Sequence, residues 1–421
     1  MKLLVALALN LGLLLALGAW LRRQRRTAEL GRWLLPLLGV RLLVSLRDCF
    51  LLSGDAVYFQ KWARVLTRQL WAAPGSWLRT LLSDELHFGG QSLVYHGYSN
   101  TFFLIKLLSA LNLASLGAAC LNSLYLSLFC FVGCWHLVRS VNAVFPAVPR
   151  GAALLALLAW PSAVYWTSGL TKESLLLGSA AGLLALVLPW LYAPGRPRPL
   201  AVLGALLLAG LQFKMRFFFA ALLFAALGGL ALIRVVQQLG GAQSRGVQAL
   251  LFALVVAGGA WVGSEISPVF RFNKFSSQLL HAYSDMLANS HQQPHIEYAD
   301  LGPTLPSMLH NAPAALLNVL VRPWPWEGTG LLYGAAGLEN MLLLVVVVVA
   351  VGAVLRGRGG QLPFALVLAL GFYCLALGVL IGLSTPNLGT LNRYRSVLLP
   401  FVLLLSLQNE YAARFLRRLG L

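Results

Sequence analysis

The sequence predicts an all-α, polytopic membrane protein with about eleven transmembrane helices. Two observations carry that expectation. Of 421 residues, 59% are hydrophobic and only 11% charged, with a mean hydropathy of +0.76, a balance that soluble chains do not show. The apolar residues also fall in charge-bounded runs of about bilayer length, roughly 3 to 21, 33 to 53, 116 to 138, 151 to 168, 173 to 193, 199 to 213, 216 to 234, 248 to 264, 338 to 355, 362 to 383 and 396 to 412. The first run is as long as a span needs and is followed by four arginines without a small-residue cleavage pattern, so it reads as a helix and not as a signal peptide.

Charge orients the spans. Arg22, Arg23, Arg25 and Arg26, then Arg139 and Arg150, Arg196 and Arg198, Arg234 and Arg245, Arg356 and Arg358, and finally Arg414, Arg417 and Arg418 follow alternate spans. By the positive-inside rule those ends are cytoplasmic. The N-terminus is then outside and the C-terminus inside. Two long polar loops, 54–115 and 265–337, fall on the outer face of a single integral membrane domain. The net charge of +19 is therefore largely topological and does not argue for nucleic acid. Five cysteines, Cys49, Cys120, Cys130, Cys134 and Cys374, sit in apolar stretches and read as small core residues, neither bridged nor ligating.

The first loop opens on Ser53, Gly54 and Asp55. From Tyr58 to Leu70 apolar residues recur with helical spacing, with Lys61, Arg64 and Arg68 on another face, which predicts a helix lying in the membrane interface. A second short helix is expected up to Glu85. His87 to Asn100 reads as an irregular, aromatic, hydrogen-bonding segment suited to a sugar, and Thr101 to Asn112 as an interfacial stretch. In the second loop, Ser276 to Asn289 and Leu305 to Val321 read as helices, and His291 to Pro306, rich in His, Gln and Pro, as a mobile lid.

Acids concentrate outside: only Glu29 and Glu410 are clearly cytoplasmic. Asp55, at the water boundary, is the candidate general base or metal-binding carboxylate, or else a helix cap; Asp84 and Glu85 form a second acidic pair. Outer basic residues sit in knots at span ends: Lys172 with Glu173, Lys214 with Arg216, Arg271 with Lys274, Arg322 before Glu327, and Arg393 with Arg395 around Tyr394. Cations kept outside against the insertion bias suit an anionic ligand such as a lipid-linked phosphate, or else anchor at headgroups. Ser168 and Thr171 are candidates to cap the helix that begins at Lys172. In RPWPWE, Pro323 and Pro325 predict an extended backbone directing Arg322, Trp324, Trp326 and Glu327 as a platform. Phosphate loops, zinc spacings, dinucleotide fingerprints and nucleophile elbows are missing from the sequence, which argues against an ATP-driven or cofactor-dependent enzyme.

The GD…Y opening with Tyr58, the turn P-S-x-x-x-W-x-S-G-x-x-K-E from Pro161 to Glu173, RPWPWE, and N-R-Y-R-x-x-x-x-P from Asn392 to Pro400 together resemble an uncharacterised group of bacterial envelope membrane proteins. These in turn resemble GT-C-type membrane glycosyltransferases and O-antigen-type polymerases. The resemblance implies a polyprenyl-phosphate or polyprenyl-pyrophosphate sugar donor, a glycan or lipid acceptor, and Asp55 as base or metal ligand, with a divalent metal an option and not a requirement. The second acid common in that family is Ala56 here, which leaves Asp84 or Glu85 to supply a partner. The expected activity is transfer of a sugar or oligosaccharide at the outer face of a bacterial cytoplasmic membrane. The alternatives are a transporter or flippase of lipid-linked glycans and a non-catalytic partner in envelope glycan assembly.

Overall fold

The computed structural model describes residues 1–27, 30–95, 99–290 and 292–421. Glu29, His96, Gly97, Tyr98 and His291 lie outside them, and with them parts of the two loop segments His87 to Asn100 and His291 to Pro306. In chain order the helices are α1 (Lys2–Thr27), α2 (Gly31–Ser45), α3 (Arg47–Phe50), α4 (Gly54–Ala72) and α5 (Pro74–Leu82), followed by the strands β1 (Glu85–Phe88) and β2 (Gln91–Val94). Next come α6 (Asn100–Ser115), α7 (Ala119–Val144), α8 (Arg150–Leu154), α9 (Pro161–Trp166), α10 (Lys172–Tyr192), α11 (Pro199–Met215), α12 (Phe217–Gln238) and α13 (Arg245–Ile266). The chain closes with α14 (Phe272–Ala288), α15 (Leu305–Val321), α16 (Leu331–Leu355), α17 (Phe364–Ser384), α18 (Leu388–Tyr394), α19 (Leu399–Ser406) and α20 (Glu410–Arg418).

Among the described residues seven helices are long and apolar enough to cross a membrane: α1, α7, α10, α12, α13, α16 and α17. The other four expected spans are short or broken, and the sequence explains one break directly. Trp160 takes an extended conformation (φ −68°, ψ 124°) before Pro161, which disfavours helix at the preceding residue, so the run from 151 to 168 becomes α8, a π-helical turn at Leu155–Ala159, and α9. The run from 33 to 53 is α2 and α3, that from 199 to 213 is the 17-residue α11, and that from 396 to 412 is α19 and α20, the last capped by Asn409.

The contacts divide into two units. The first comprises Met1–Arg139, Val164–Leu184 and Arg198–Phe217. Within it α4 forms as its periodicity predicts. Ser53 accepts from the Ala56 N–H at 3.3 Å, Ala56, Phe59, Ala63 and Leu66 are buried, and the helix stops before Pro74. The cap is thus Ser53, and Asp55 is exposed in the first turn. Helices α4 and α6 pack along one another, and α7 meets α10 where two glycines face. A Cβ on Gly133 would lie 2.2 Å from the Gly178 carbonyl oxygen, so backbone approaches backbone as in small-residue membrane crossings.

Two expectations fail in this unit. The stretch after α5 is not irregular: β1 and β2 pair antiparallel, Glu85 opposite Val94, around Gly89 and Gly90 with φ of 59° and 72°. Two consecutive glycines at positive φ supply the hairpin turn that the polar, aromatic composition hides. Cys49 and Cys120 are not separate core residues but a disulfide, with Cα atoms 4.5 Å apart. Cys49 lies in α3 and Cys120 in the first turn of α7, two helix ends whose proximity a separation of 71 residues conceals. Cys130, Cys134 and Cys374 are free and buried.

The second unit comprises Ser140–Ala163, Ala185–Pro197 and Phe218–Leu421. Its best-packed pair is α15 on α17: a Cβ on Gly382 would lie 2.4 Å from the Ala315 carbonyl oxygen, and Leu279, Met308, Ala315 and Leu383 form a core there. The expected mobile lid is a strap tied to the start of α18. The Ile296 N–H donates to the Pro386 carbonyl (2.9 Å) and Leu388 N–H to that of Pro294 (3.1 Å). Asn387 donates to Ser290 and Gln293, and Tyr298 donates to the Gly382 carbonyl. Polar composition marks the segment as irregular; the backbone pairing that fixes it comes from a partner almost a hundred residues away, which no local pattern reveals.

Candidate functional site

In the first unit the turn between α9 and α10 is fixed by a carboxylate. Asp48, 5% exposed, accepts from the Leu170 N–H at 2.7 Å, the Ser123 hydroxyl at 2.8 Å and Arg47 Nε at 3.1 Å. Gly169 has φ of 94°, and a Cβ there would lie 2.3 Å from Asp48 Oδ2, so the residue must be glycine both for its backbone and for its space. The Arg47 guanidinium lies 4.7 Å over the Tyr165 ring. Behind this turn Arg41, 1% exposed, donates to the carbonyl and hydroxyl of Thr167, and Ser45 shares a bond with Ser127, which accepts from the Gly169 N–H.

The turn delivers Lys172 to a defined place. Its ammonium donates to Asn100 Oδ1 (2.7 Å) and Thr101 Oγ1 (2.8 Å) at the start of α6 and lies 5.1 Å over Phe59 of α4. Glu173, 1% exposed, is in the first turn of α10. Of the two expected caps, Thr171 accepts from the Ser174 N–H, whereas Ser168 donates back to the Val164 carbonyl. Lys214 closes α11 on an exposed face, and Arg216, extended (φ −154°), ends that helix.

The first-loop candidates separate. Tyr58 on α4 shares a hydroxyl bond of 3.0 Å with Tyr95, which stacks on Phe102. Burial and then the Tyr58 bond raise the Tyr95 phenol above its ordinary value. Asp84 and Glu85 belong to the hairpin. The Asp84 carbonyl accepts from Tyr95 N–H, its side chain is exposed, and the exposed Glu85 carboxylate meets His87 at 3.0 Å.

In the second unit RPWPWE is a tight turn and not an extended platform. Glu327 folds back, bonding Arg322 Nε at 2.8 Å with one carboxylate oxygen and the Trp324 N–H at 2.8 Å with the other. The two prolines fix the flanking φ angles, but a carboxylate three residues on finds the free amide and closes the turn. Trp324 and Trp326 stack with ring centres 5.5 Å apart and planes 4° apart, leaving Trp326 74% exposed. The turn rests on α16: a Cβ on Gly337 would lie 2.3 Å from Pro325 N, and Asn340 donates to the Pro323 carbonyl at 2.7 Å.

Arg395 and Arg393, two residues apart, differ. Arg395 is fully buried; its guanidinium donates to the carbonyls of Arg322 (2.7 Å) and Val319 (3.1 Å), to Asn392 and to Asn340. Its donors are engaged by protein oxygens, so it holds the RPWPWE turn and does not reach a ligand. Arg393 and Tyr394 are half-buried on α18 and remain candidates for contact. Glu339 of α16 accepts from both the N–H and the hydroxyl of Ser162, at 3.0 and 2.5 Å.

A cavity of about 680 Å³ opens in the second unit among α12, α13, α14, α15 and α17. Phe218, Phe224, Phe270, Phe272, Phe275 and Phe372 give it aromatic walls, and the rest of its lining is aliphatic, methionine or glycine. Arg271 and Lys274 alternate in sequence with three of those rings and are exposed.

Among the described residues no three of His, Cys, Asp and Glu gather in a way that could hold a metal ion, so no step is derived through one. Arg41 and Asp48 are the residues that motif reading misses. The signal that finds them is a charged side chain inside an apolar run, which in a membrane protein marks a built polar site by default.

Compared with family models, curated proteins and solved structures, the chain matches none.

Proposed function

We propose that the chain is a membrane glycosyltransferase, or a glycan polymerase of similar layout, that takes its sugar from a polyprenyl-(pyro)phosphate donor at the outer face of a bacterial cytoplasmic membrane. The observation that carries this reading is the apolar slot of about 680 Å³, three of whose rings, Phe270, Phe272 and Phe275, are interleaved in sequence with the exposed cations Arg271 and Lys274. A donor of this class needs both features, a hydrocarbon-lined groove for its chain and cations for its phosphate. In this reading Arg322 and Arg393 of the second unit stabilise the phosphate leaving group. The exposed Trp326 stacks on a sugar ring, and Arg395 positions the turn that carries Trp326. As the acceptor hydroxyl oxygen attacks the anomeric carbon its proton passes to a carboxylate base, the role expected of Asp55. The bond from that carbon to the phosphate oxygen breaks, and the phosphate leaves with its electron pair.

Orientation has its own support. The Cys49–Cys120 bridge joins the ends of α3 and α7 that border loop 54–115, and disulfides persist in oxidising compartments. That agrees with the arginine pattern, which also places this loop outside. We count the broken helices with the seven long ones as crossings, about eleven in all.

The test is the full chain in proteoliposomes with a polyprenyl-pyrophosphate-linked oligosaccharide, following glycan transfer, release of free polyprenyl pyrophosphate and the leaflet of the remaining donor. Transfer is expected, and Asp55→Asn lowers it by about 10²–10⁴-fold with unchanged donor binding and unfolding temperature. Full activity in that variant removes Asp55 from the chemistry. Donor crossing between leaflets without release of polyprenyl pyrophosphate replaces the proposal with the flippase alternative.

A further inference from the structure

The first unit holds a second cavity, of about 670 Å³, along the polar face of α4. Lys61, Arg64 and Arg68 of α4 line it at helical spacing, and Lys2 at the start of α1 completes a set of four cations, with no carboxylate among the described residues of the lining. Like charges gathered this way repel, and none of the described acidic residues lines the cavity to offset them. An anion is the missing partner.

The floor is built, not incidental. Gln60 and Asn112, each 2% exposed, and the fully buried Asn122 bond to one another, with Asn122 Nδ2 at 3.1 Å from Gln60 Oε1 and 2.8 Å from Asn112 Oδ1. Gln60 Nε2 (2.7 Å) and Arg64 (2.9 and 3.1 Å) all donate to the Gly117 carbonyl. Gly117 and Leu116 both have positive φ (78° and 53°), so the chain between α6 and α7 bends to present that oxygen. Arg64 is thereby held at the rim with part of its guanidinium already anchored, which lowers the entropy cost of gripping a ligand.

The walls decide what kind of anion. Leu52, Val57, Val65 and Trp71 flank the cations, and Lys2 lies 5.7 Å from the Trp71 ring centre. Beyond Lys2, α1 shows Leu4, Leu7, Leu11 and Leu15 between 57 and 70% exposed, an unbroken apolar ridge. We infer that this cavity binds the phosphate headgroup of a membrane lipid, with the lipid's hydrocarbon chains along α1. The site shares no lining residue with the proposed donor slot and does not depend on the glycosyltransfer reading; it requires only that α1 lies in a bilayer.

The experiment is native mass spectrometry of the full chain in neutral detergent, titrated with phosphatidic acid, phosphatidylglycerol, phosphatidylcholine and inorganic phosphate. Phosphatidic acid and phosphatidylglycerol are expected to bind in preference to phosphatidylcholine, and inorganic phosphate to compete weakly. A cation beside an anionic headgroup contributes about fivefold, so Lys2→Gln with Lys61→Gln and Arg68→Gln predicts roughly a hundredfold loss for the anionic lipids, and Lys2→Gln alone about fivefold. These substitutions spare Arg64 and its bonds to Gly117. Arg79→Gln on α5, outside the cavity, serves as the control and leaves binding unchanged. Equal binding of phosphatidylcholine, or anionic-lipid affinity unmoved in both Lys2 variants, overturns the site. Displacement by inorganic phosphate at the concentration at which phosphatidic acid displaces itself overturns the lipid assignment in favour of a free-phosphate site.

Discussion

In the first unit a buried anion holds an irregular turn by a backbone amide; in the second a buried cation holds one by its carbonyls. Asp48 reads the Leu170 N–H just ahead of α10, while Arg395 reads the carbonyls of Val319 and Arg322 at the end of α15. The carbonyls that Arg395 meets are among those a helix terminus leaves without intrahelical partners, whereas Leu170 lies just outside α10; each charge has the sign that the dipole of the neighbouring helix end favours. The difference lies in what else supports the turn. Asp48 has Arg47 beside it at 3.1 Å and a disulfide at the next residue, Cys49, whose partner Cys120 is three residues before Ser123. The hydrogen bonds of Arg395 go to neutral oxygens, and the strap beside α18 is held by hydrogen bonds and one ion pair. The first turn is clamped covalently, the second only by pairing.

The largest effect is therefore expected at Arg395. Arg395→Met strands four buried acceptors and costs about 3–5 kcal/mol, read as unfolding by heat or denaturant in detergent. Arg395→Lys recovers only part, because one ammonium cannot reproduce the planar fork that spans Asn340, Asn392 and two carbonyls. A wild-type unfolding midpoint in Arg395→Met would show that the cation is not what holds this turn.

Next comes the clamp. Cys49→Ser, or reduction, is expected to cost about 2–4 kcal/mol. Alkylation of the wild-type chain before and after reduction checks the bond itself: with Cys130, Cys134 and Cys374 buried, denatured protein takes up two more labels once reduced. Equal labelling would break the comparison, since both turns would then rest on pairing alone.

Asp48→Asn is expected to cost less, about 1–3 kcal/mol, because the amide keeps one oxygen for Ser123 or Leu170. The sharper measurement combines it with Cys49→Ser. Neighbouring anchors of one turn are not independent, so the double variant should lose more than the sum of the singles. Strict additivity would mean that the carboxylate and the disulfide support different parts of the unit.

How much of this was legible in the residues follows from where each interaction originates. Period and capping announce α4 and Ser53, and Gly89–Gly90 would announce the hairpin to a reader looking for consecutive turn glycines. RPWPWE is visible as a stiff segment, but its closure depends on Glu327 returning to its own turn, which proline geometry alone does not dictate. Asp55 stands out because it sits at a polar boundary. Asp48 and Arg41 are masked by the apolar run around them, and their partners, Ser123, Leu170 and Thr167, lie 75 to 126 residues away. Arg393 and Arg395 look alike in NRYR; only the position of Asn340 and of the end of α15 divides a positioning arginine from one left near the surface.

The smallest expected effect tests the weaker clamp. The ring of His295 bonds the Gln293 carbonyl through Nδ1 at 2.7 Å and the Glu297 carboxylate through Nε2 at 2.9 Å, and these two acceptors, the carbonyl first, raise its pKa above the ordinary 6.5. A raised folded-state value means that the charged ring stabilises the strap fully below the unfolded pKa and that this contribution is lost as pH climbs through the folded value. Glu297 is 68% exposed, so the contribution is screened by salt and modest in size. Hydrogen exchange at the Ile296 and Leu388 amides, which bind Pro386 and Pro294, is the direct readout. After correction for intrinsic exchange, protection should fall as pH rises past the ordinary histidine range, the step should shrink at high salt, and His295→Gln should flatten it. Since a disulfide does not titrate, the amide of Leu170 should show no matching step. A step of equal size at both amide sets would mean that the two turns respond to a common transition and not to their own clamps.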